Sequence, residues 1–373
     1  MNTKVRISII ALVILTGILG TTLTTPAKEP LEPPQYNPYF GDLHAHTRYS
    51  DAWEGTPADA YAAAKAAGAD FMATSDHSFM LTPEEWEQTL QAAAQYTSDI
   101  FVALPGYEFW MPGFGEVNIF NSAASPPSKP GLHGPGVNLP RWSMPGAFYD
   151  QLAAQPEAIG LWVHPTDYGD DFDDFAYWTE TRDQAMGLLE IHNFGSWSMP
   201  YALLDYEASY IKALDQGWHV MPAANSDTHS PDWISGSEVR TVLLAENLSP
   251  EDLYRAMHAG RGYATLDKNL MINYTLNGAI MGSVLEQPGS SYVASIQIQD
   301  PDDVSSDAIT LVEVVSDGGE VVASFSPNSV TVDETIELKS ETASYFYLRV
   351  TTASNLSGGE GVTAWTAPIW TGR

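Results

Sequence analysis

The chain has 373 residues, and its 47 Asp and Glu against 16 Lys and Arg give a formal charge of −31. With 44% hydrophobic residues, 11 Trp and 13 Phe it is too apolar for an acidic disordered tail, and at about 150 residues per domain it has room for two or three. Such a charge disfavours nucleic acid and anionic membranes, whose phosphates bind Lys and Arg, and the lack of cysteine excludes disulfides, thiolate metal sites and a cysteine nucleophile.

Lys4 and Arg6 precede an uncharged run from Ile7 to Leu23, followed by Pro26 and Ala27. This reads as an export signal over residues 1–27. The run is shorter than the roughly 20 residues a spanning helix uses, so the expectation is a periplasmic or extracellular protein without stable membrane association, a retained N-terminal anchor being the alternative. Residues 28–39 are proline-rich and read as an extended linker.

From Phe40 to about Thr265, short apolar runs alternate with amphipathic stretches, the pattern of repeated βα units around a parallel sheet. Thr56-Pro57-Ala58-Asp59, Thr82-Pro83-Glu84-Glu85 and Ser249-Pro250-Glu251-Asp252 each offer a capping hydroxyl, a first-turn Pro and a carboxylate at N3, so each starts a helix. Strands are predicted over Phe40–His44, Asp70–Thr74, Ile100–Pro105, Glu116–Phe120, Ile159–His164, Gly187–His192 and His219–Ala224. After Leu270 the period changes to two, as in Val293-Ala294-Ser295-Ile296, with a hairpin signal at Asp317-Gly318-Gly319. Residues 270–373 are therefore expected to form a separate β-sandwich, behind a catalytic domain over residues 40–269. Every ligand candidate precedes Leu270, so a chain ending near Asp267 is expected to bind metal alone.

The chemistry-bearing residues fall where predicted strands end. His44 and His46 share a strand face, so both can reach one ion, while Asp51 returns from the loop. His77 follows the second strand, Glu108 the third, His164 ends the fifth, and Asp227 and His229 follow the seventh. In a parallel barrel these ends converge on one mouth. Asp42 and Asp76, beside ligands, read as carboxylates orienting imidazoles.

The run His44-Ala45-His46-Thr47-Arg48-Tyr49-Ser50-Asp51, followed in order by Asp76-His77, Gly106-Tyr107-Glu108, His164-Pro165 and Ser226-Asp227-Thr228-His229, resembles the PHP (polymerase and histidinol phosphatase) superfamily, and within it the exported CehA/McbA-like branch. The resemblance covers about Phe40 to Thr265. It implies an α/β fold, a distorted (β/α)7 barrel ahead of the C-terminal β-sandwich, with two or three divalent ions, Zn, Mn or Fe. Carried over by position, His44, His46, Glu108 and Asp227 hold one ion, Glu108 bridges to a second bound by His164, and Asp51, His77 and His229 hold the third. The family usually supplies another histidine on the next strand. Here that place falls to Glu116, with Asn118 two residues on as the other reachable group.

Glu190 and His192 lie on one predicted strand. His192 suits a general acid, and hydrogen-bonded structural roles are the alternative for both. Arg48 can clamp an anionic substrate or simply face solvent. The acidic run at 170–174 reads as a solvated loop or a weak calcium site. Loop aromatics, among them Phe109, Trp110, Trp142, Phe172, Trp197 and Trp233, are expected as lids over a small organic or sugar-containing substrate. The expected activity is metal-dependent hydrolysis of a phosphoester, with Glu108, His192 and Arg48 as catalytic residues. Carboxyl-ester or carbamate hydrolysis on the same fold is the nearest alternative, and a non-catalytic metal-binding scaffold with a ligand-binding sandwich is the alternative from another class. An amidohydrolase-type site generally wants a bridging lysine at a strand end, and the sequence offers none there.

Overall fold

A computed structural model describes residues 35–111, 113–126, 145–167, 172–194, 204–302, 307–353 and 361–372. The expected export signal, most of the expected linker, Trp142, Trp197 and part of the acidic run lie outside them. Strands β1 (Asn37–Asp42), β2 (Phe71–Thr74), β3 (Val102–Met111), β4 (Gly115–Phe120), β5 (Ile159–Val163), β6 (Met186–Asn193), β7 (Leu204–Asp205) and β8 (Met221–Asn225) come first. Between them lie helices α1 (Pro57–Ala66), α2 (Pro83–Tyr96), α3 (Gly146–Ala153), α4 (Glu180–Asp183) and α5 (Glu207–Asp215). β9 (Arg240–Ala245), α6 (Pro250–His258) and β10 (Gly262–Thr265) follow. Residues 37–39, read as linker, belong to β1.

The caps form as the sequence dictates. Thr56 and Thr82 accept from the N3 amides of Asp59 and Glu85, whose carboxylates return to the cap N–H, and Ser249 accepts from Asp252. Such a cap is worth about 1 kcal/mol, and each fixes where the chain leaves the loop for the helix. β2, β4, β5, β6, β8 and β9 are buried along their whole length, as continuous apolar runs are in a sheet covered on both faces.

β1, β2 and β3 run parallel, as do β5, β6 and β8. The expected all-parallel order fails at β4, which is antiparallel to both β3 and β5. β3 runs on to Met111 instead of ending at Pro105, pairing with β2 up to Pro105 and with β4 from Gly106. Gly106 allows this handover: a Cβ there would lie 2.7 Å from the Phe120 ring and 3.0 Å from Thr74 O. Beyond their strands, β8 and β1 meet: Asp227 N–H donates to His44 O at 2.8 Å and His46 N–H to Thr228 O at 3.0 Å. The strand ends expected to carry the chemistry are thereby drawn together.

The C-terminal third contains β11 (Met271–Leu276), β12 (Ala279–Ile280), β13 (Ser291–Gln299), β14 (Ile309–Ser316), β15 (Glu320–Phe325), β16 (Thr331–Lys339), β17 (Tyr345–Thr352), β18 (Ala364–Thr366) and β19 (Ile369–Trp370). β12, β11, β13 and β16 form a four-stranded sheet. The expected hairpin joins β14 to β15 through Asp317–Gly319, with Gly318 at φ 65°. β15, β14, β17 and β18 continue the large sheet, because β18 pairs with β10. Ile272, Tyr292, Val312 and Leu348 share one buried cluster with Leu104, Leu161 and Val242. Tyr347 Oη donates to Glu207 at 2.6 Å and Tyr345 Oη to Asp215 at 2.8 Å, tying β17 to α5. A chain cut near Asp267 would leave the β10 edge without β18 and remove part of this shared core.

Among the described residues no helix is long and apolar enough to cross a membrane.

Candidate metal centre

All nine expected ligands converge. They fall into four overlapping groups, His44–His46–Asp227, His44–Glu108–His164, His77–Glu108–Glu116 and His46–Asp51–His77–His229, and within each group the donor atoms lie within 4.8 Å of one another. Glu108 is the hub. Its Oε1 lies 3.1 Å from His164 Nε2 and 3.6 Å from His44 Nε2, and its Oε2 3.0 Å from His77 Nδ1 and 3.3 Å from His46 Nε2. Asp227 Oδ1 is 3.2 Å from both His44 Nε2 and His46 Nε2, and Asp51 lies 3.3–3.5 Å from His46, His77 and His229.

Register explains the choice between Glu116 and Asn118. Glu116 opposes Val163 across β4 and β5, so its carboxylate lies beside the strand end that carries His164. It reaches 3.7 Å from His164 Nε2 and from His77 Nδ1. Asn118 instead donates to Leu43 O at 3.2 Å.

The surroundings set which lone pairs face inward. Glu190 Oε1 lies 3.1 Å from His44 Nδ1, which keeps the proton on Nδ1 and turns the Nε2 lone pair to the centre. His46 Nδ1 meets Ser50 Oγ at 3.2 Å, while Ser50 itself donates to Asp76, so His46 Nε2 also points inward as an acceptor. His44 Nε2 and His46 Nε2 lie 3.4 Å apart and both face a carboxylate oxygen of Asp227, so a proton or a bound cation must sit among them. Asp51 Oδ1, His77 Nδ1, Glu108 Oε2 and Asp227 Oδ1 are buried and, among the described residues, make close contacts but no well-aligned hydrogen bond, and this donor set of imidazoles and carboxylates fits borderline divalent ions.

Burial opposes charge throughout the cluster; mutual attraction overrides it at His44, His77, His164 and Glu108, whereas burial prevails at His46 and Glu116. Against burial, Asp227, Glu190 and Glu108 hold the His44 imidazolium well above the usual histidine range. His77 is pushed up to about 11, chiefly by Glu108 against burial, and His164 up to about 9 by its bond to Glu108. Burial favours a protonated Glu108, yet His77 and His44 hold it well below the carboxylate range. Burial, then the charge of Glu108, pushes Glu116 up to about 7. Protons here do work a metal would take over, and ligand protons leave when metal binds.

Backbone geometry is part of the arrangement. His164 and Asp227 occupy the left-handed region, at φ 28° and 47°, a strain of about 1–3 kcal/mol each. Glu190 Oε2 holds His164 by accepting its N–H at 2.7 Å.

Several expectations need correction. Asp42 and Asp76 orient backbone and hydroxyls, not imidazoles: Asp42 accepts from the N–H groups of His44 and Ser226, Asp76 from Thr47 and Ser50. The imidazole-orienting carboxylate is Glu190. A bulge between Glu190 and His192 separates the two. His192 is 2% exposed, stacks on Trp365 and is pushed down by burial to about 4, so it is uncharged at neutral pH and unsuited to general acid duty. Arg48 is exposed, its charge acting on Tyr49 and Asp59. Phe109 and Phe172 are core residues, and Trp233 is buried with Nε1–H donating to His46 O at 3.0 Å. Phe79, stacked on His77 with centroids 5.2 Å apart, and Trp110 beyond it do border the centre. Of the acidic run, Asp173 accepts from Tyr177 and Asp174 pairs with Lys212.

No protein-family model matches the sequence. An uncharacterized protein of Chlamydia pneumoniae is 27% identical over 143 residues, 35% of this chain and 22% of that protein, so the match spans less than a quarter of its relative. Among solved structures, a two-domain protein of Bacteroides vulgatus described as containing a predicted PHP-like metal-dependent phosphoesterase is similar over 90% of this chain and 97% of its own, at TM-score 0.48 and 15% identity. Endonuclease Q, solved with a duplex carrying an abasic lesion, matches 59% of this chain and 56% of its own at TM-score 0.38 and 14% identity. An amidohydrolase of Chromobacterium violaceum matches 51% and 88% at TM-score 0.30 and 16% identity.

Proposed function

We propose that the chain is an exported, multinuclear metal-dependent phosphoesterase of the PHP superfamily, on its CehA/McbA-like branch, acting on a small organic or sugar-containing substrate. In this reading the curled strands are a distorted (β/α)7 barrel and residues 270–373 a β-sandwich module. The observation that carries it is the meeting of nine His, Asp and Glu residues on or just beyond β1, β2, β3, β4, β5 and β8 in one largely buried cluster.

His44, His46 and Asp227 would hold one ion, His164, Glu108 and Glu116 a second, and Asp51, His77 and His229 a third, Glu108 being shared. Bound divalent ions supply Lewis acidity and an activated water. The protein's own part is positional. Glu190 fixes the His44 tautomer and the His164 backbone, Asp76 fixes the loop carrying His46 through Ser50 and Thr47, and Phe79 and Trp110 cover one side of the centre with apolar surface. A charge of −31 without a basic stripe favours a small substrate over a nucleic acid strand.

The test is hydrolysis by metal-reconstituted protein of phosphoesters, carboxyl esters and carbamates, with and without chelator. Chelator-sensitive phosphoester turnover supports the reading. Turnover of carboxyl esters or carbamates alone moves the substrate class to the alternative chemistry, and chelation without effect on any activity removes the metal role.

A further inference from the structure

A second cluster of oxygen ligands lies away from the histidine centre, where loops of the C-terminal strands meet the end of β10. Asp267 follows β10, Asp300 follows β13 and Asp307 precedes β14, and one carboxylate oxygen from each lies within 4.8 Å of the others. Two oxygens on one ion can be at most about twice the bond length apart, roughly 4.6–5.2 Å for calcium, so the three can share a calcium ion as they stand.

Carboxylates gather on many surfaces without binding anything, but here one is shut inside. Asp300 is only 2% exposed, and its Oδ2 is buried with no hydrogen-bond partner among the described residues, while Oδ1 accepts from Asp302 N–H at 2.9 Å. Asn269 Oδ1 is likewise buried without a partner, in a residue whose N–H donates to Asp267 at 3.0 Å and whose amide nitrogen donates to Asp302 at 3.0 Å. A buried carboxylate oxygen facing like charges with no donor is costly. The neighbouring cation is committed elsewhere: Lys268 pairs with Glu238 at 3.2 Å. In keeping with this crowding, burial and then the charges of Asp267 and Asp307 push Asp300 up to about 6.

We propose that Asp267, Asp300 and Asp307 form a structural calcium site that pins the end of β10 to the residues that follow β13 and precede β14. The donors are all oxygen, without imidazole, which suits a hard cation and separates this site from the histidine centre. By clamping two segments distant in sequence, the ion stabilises the junction at the expected domain boundary, where the large sheet passes from β10 to β18.

The experiment uses full-length protein whose histidine centre is already loaded with zinc, titrated with CaCl2 and, in parallel, MgCl2. Calcium at about 100 times its Kd should raise the melting temperature by roughly 4 °C for a chain of this size, with a smaller effect from magnesium. The shift should vanish in Asp300→Asn and persist in Glu116→Ala, whose change lies in the histidine centre. Terbium luminescence sensitised by Tyr263, which feels the charge of Asp267, gives a second readout that requires no variant, and calcium should quench it competitively. If calcium leaves the wild-type melting temperature unchanged and terbium does not bind, the three carboxylates merely share a proton. A calcium shift that survives in Asp300→Asn equally overturns the assignment.

Discussion

Replacing Glu190 by Gln takes one acceptor from a fully buried carboxylate that serves four donors. Oε1 faces His44 Nδ1 at 3.1 Å and Asn225 Nδ2 at 2.9 Å, and Oε2 accepts from His164 N–H at 2.7 Å and Asn193 Nδ2 at 3.0 Å. If the amide oxygen stays near His164, the new NH2 group confronts His44 Nδ1–H and the Asn225 amide. Imidazole relieves that clash by moving its proton to Nε2, which then points N–H at Asp227 and Glu108 where a ligand lone pair is needed. Turned the other way, the NH2 group opposes His164 N–H and Asn193, loosening the strained turn at His164. A buried hydrogen bond to a charged group is worth about 1.5–3 kcal/mol, and loss of outer support for a metal-binding histidine costs roughly 10–100-fold in affinity. Glu190→Gln should therefore weaken zinc binding about 10–100-fold and lower the melting temperature of metal-free protein by roughly 2–4 °C. Competition with a fluorescent zinc chelator measures the first and calorimetry the second. Affinity within twofold of wild type in a folded variant would refute the reasoning, because the tautomer of His44 would then not depend on Glu190.

Glu108→Gln should cost orders of magnitude in turnover per folded molecule, since it removes the carboxylate shared among the ligand groups; near wild-type turnover with collapsed stability would make Glu108 structural. Glu116→His should raise the preference for zinc over manganese, following ligand softness, and Glu116→Ala should lose one ion while Asn118→Ala keeps all; the reverse pattern in elemental analysis would transfer the role to Asn118. In metal-free protein, His77, His164 and Glu116 hold their protons more tightly folded than unfolded, at about 11, 9 and 7. The stability they add is full below their unfolded values and lost as pH rises through those folded ones, so the melting temperature of chelator-treated protein should fall between pH 7 and 10. A rise over that range, seen by calorimetry, would contradict the charge pattern.

What the sequence made legible is local. A capping hydroxyl, a proline and a carboxylate within four consecutive residues suffice to start α1, α2 and α6, and His44 and His46 sit at a strand end whose position is set by one apolar run. What it left hidden depends on which strand meets which. The antiparallel insertion of β4 between β3 and β5 decides that Glu116, opposite Val163, lies beside His164, and alternation within β4 alone does not say which strand it faces. Glu190 lies on the strand that the sequence predicts, but its separation from His192 comes from a bulge that periodicity does not carry. The sequence neighbours of Asp42 and Asp76 point to imidazoles, whereas their amide and hydroxyl partners reach from Ser226 and from Thr47 and Ser50. Likewise the pairing of β18 with β10, about 100 residues earlier, which makes the C-terminal third part of the same sheet, leaves no local mark in the sequence.

The central claim is that the buried His, Asp and Glu cluster is a multinuclear metal centre, and counting ions tests it most directly. Elemental analysis of protein purified without added metal and then reconstituted should find two or three equivalents of zinc, manganese or iron per chain, removed by chelator together with any hydrolytic activity and restored with it. Fewer than one equivalent after reconstitution of folded protein would contradict the account.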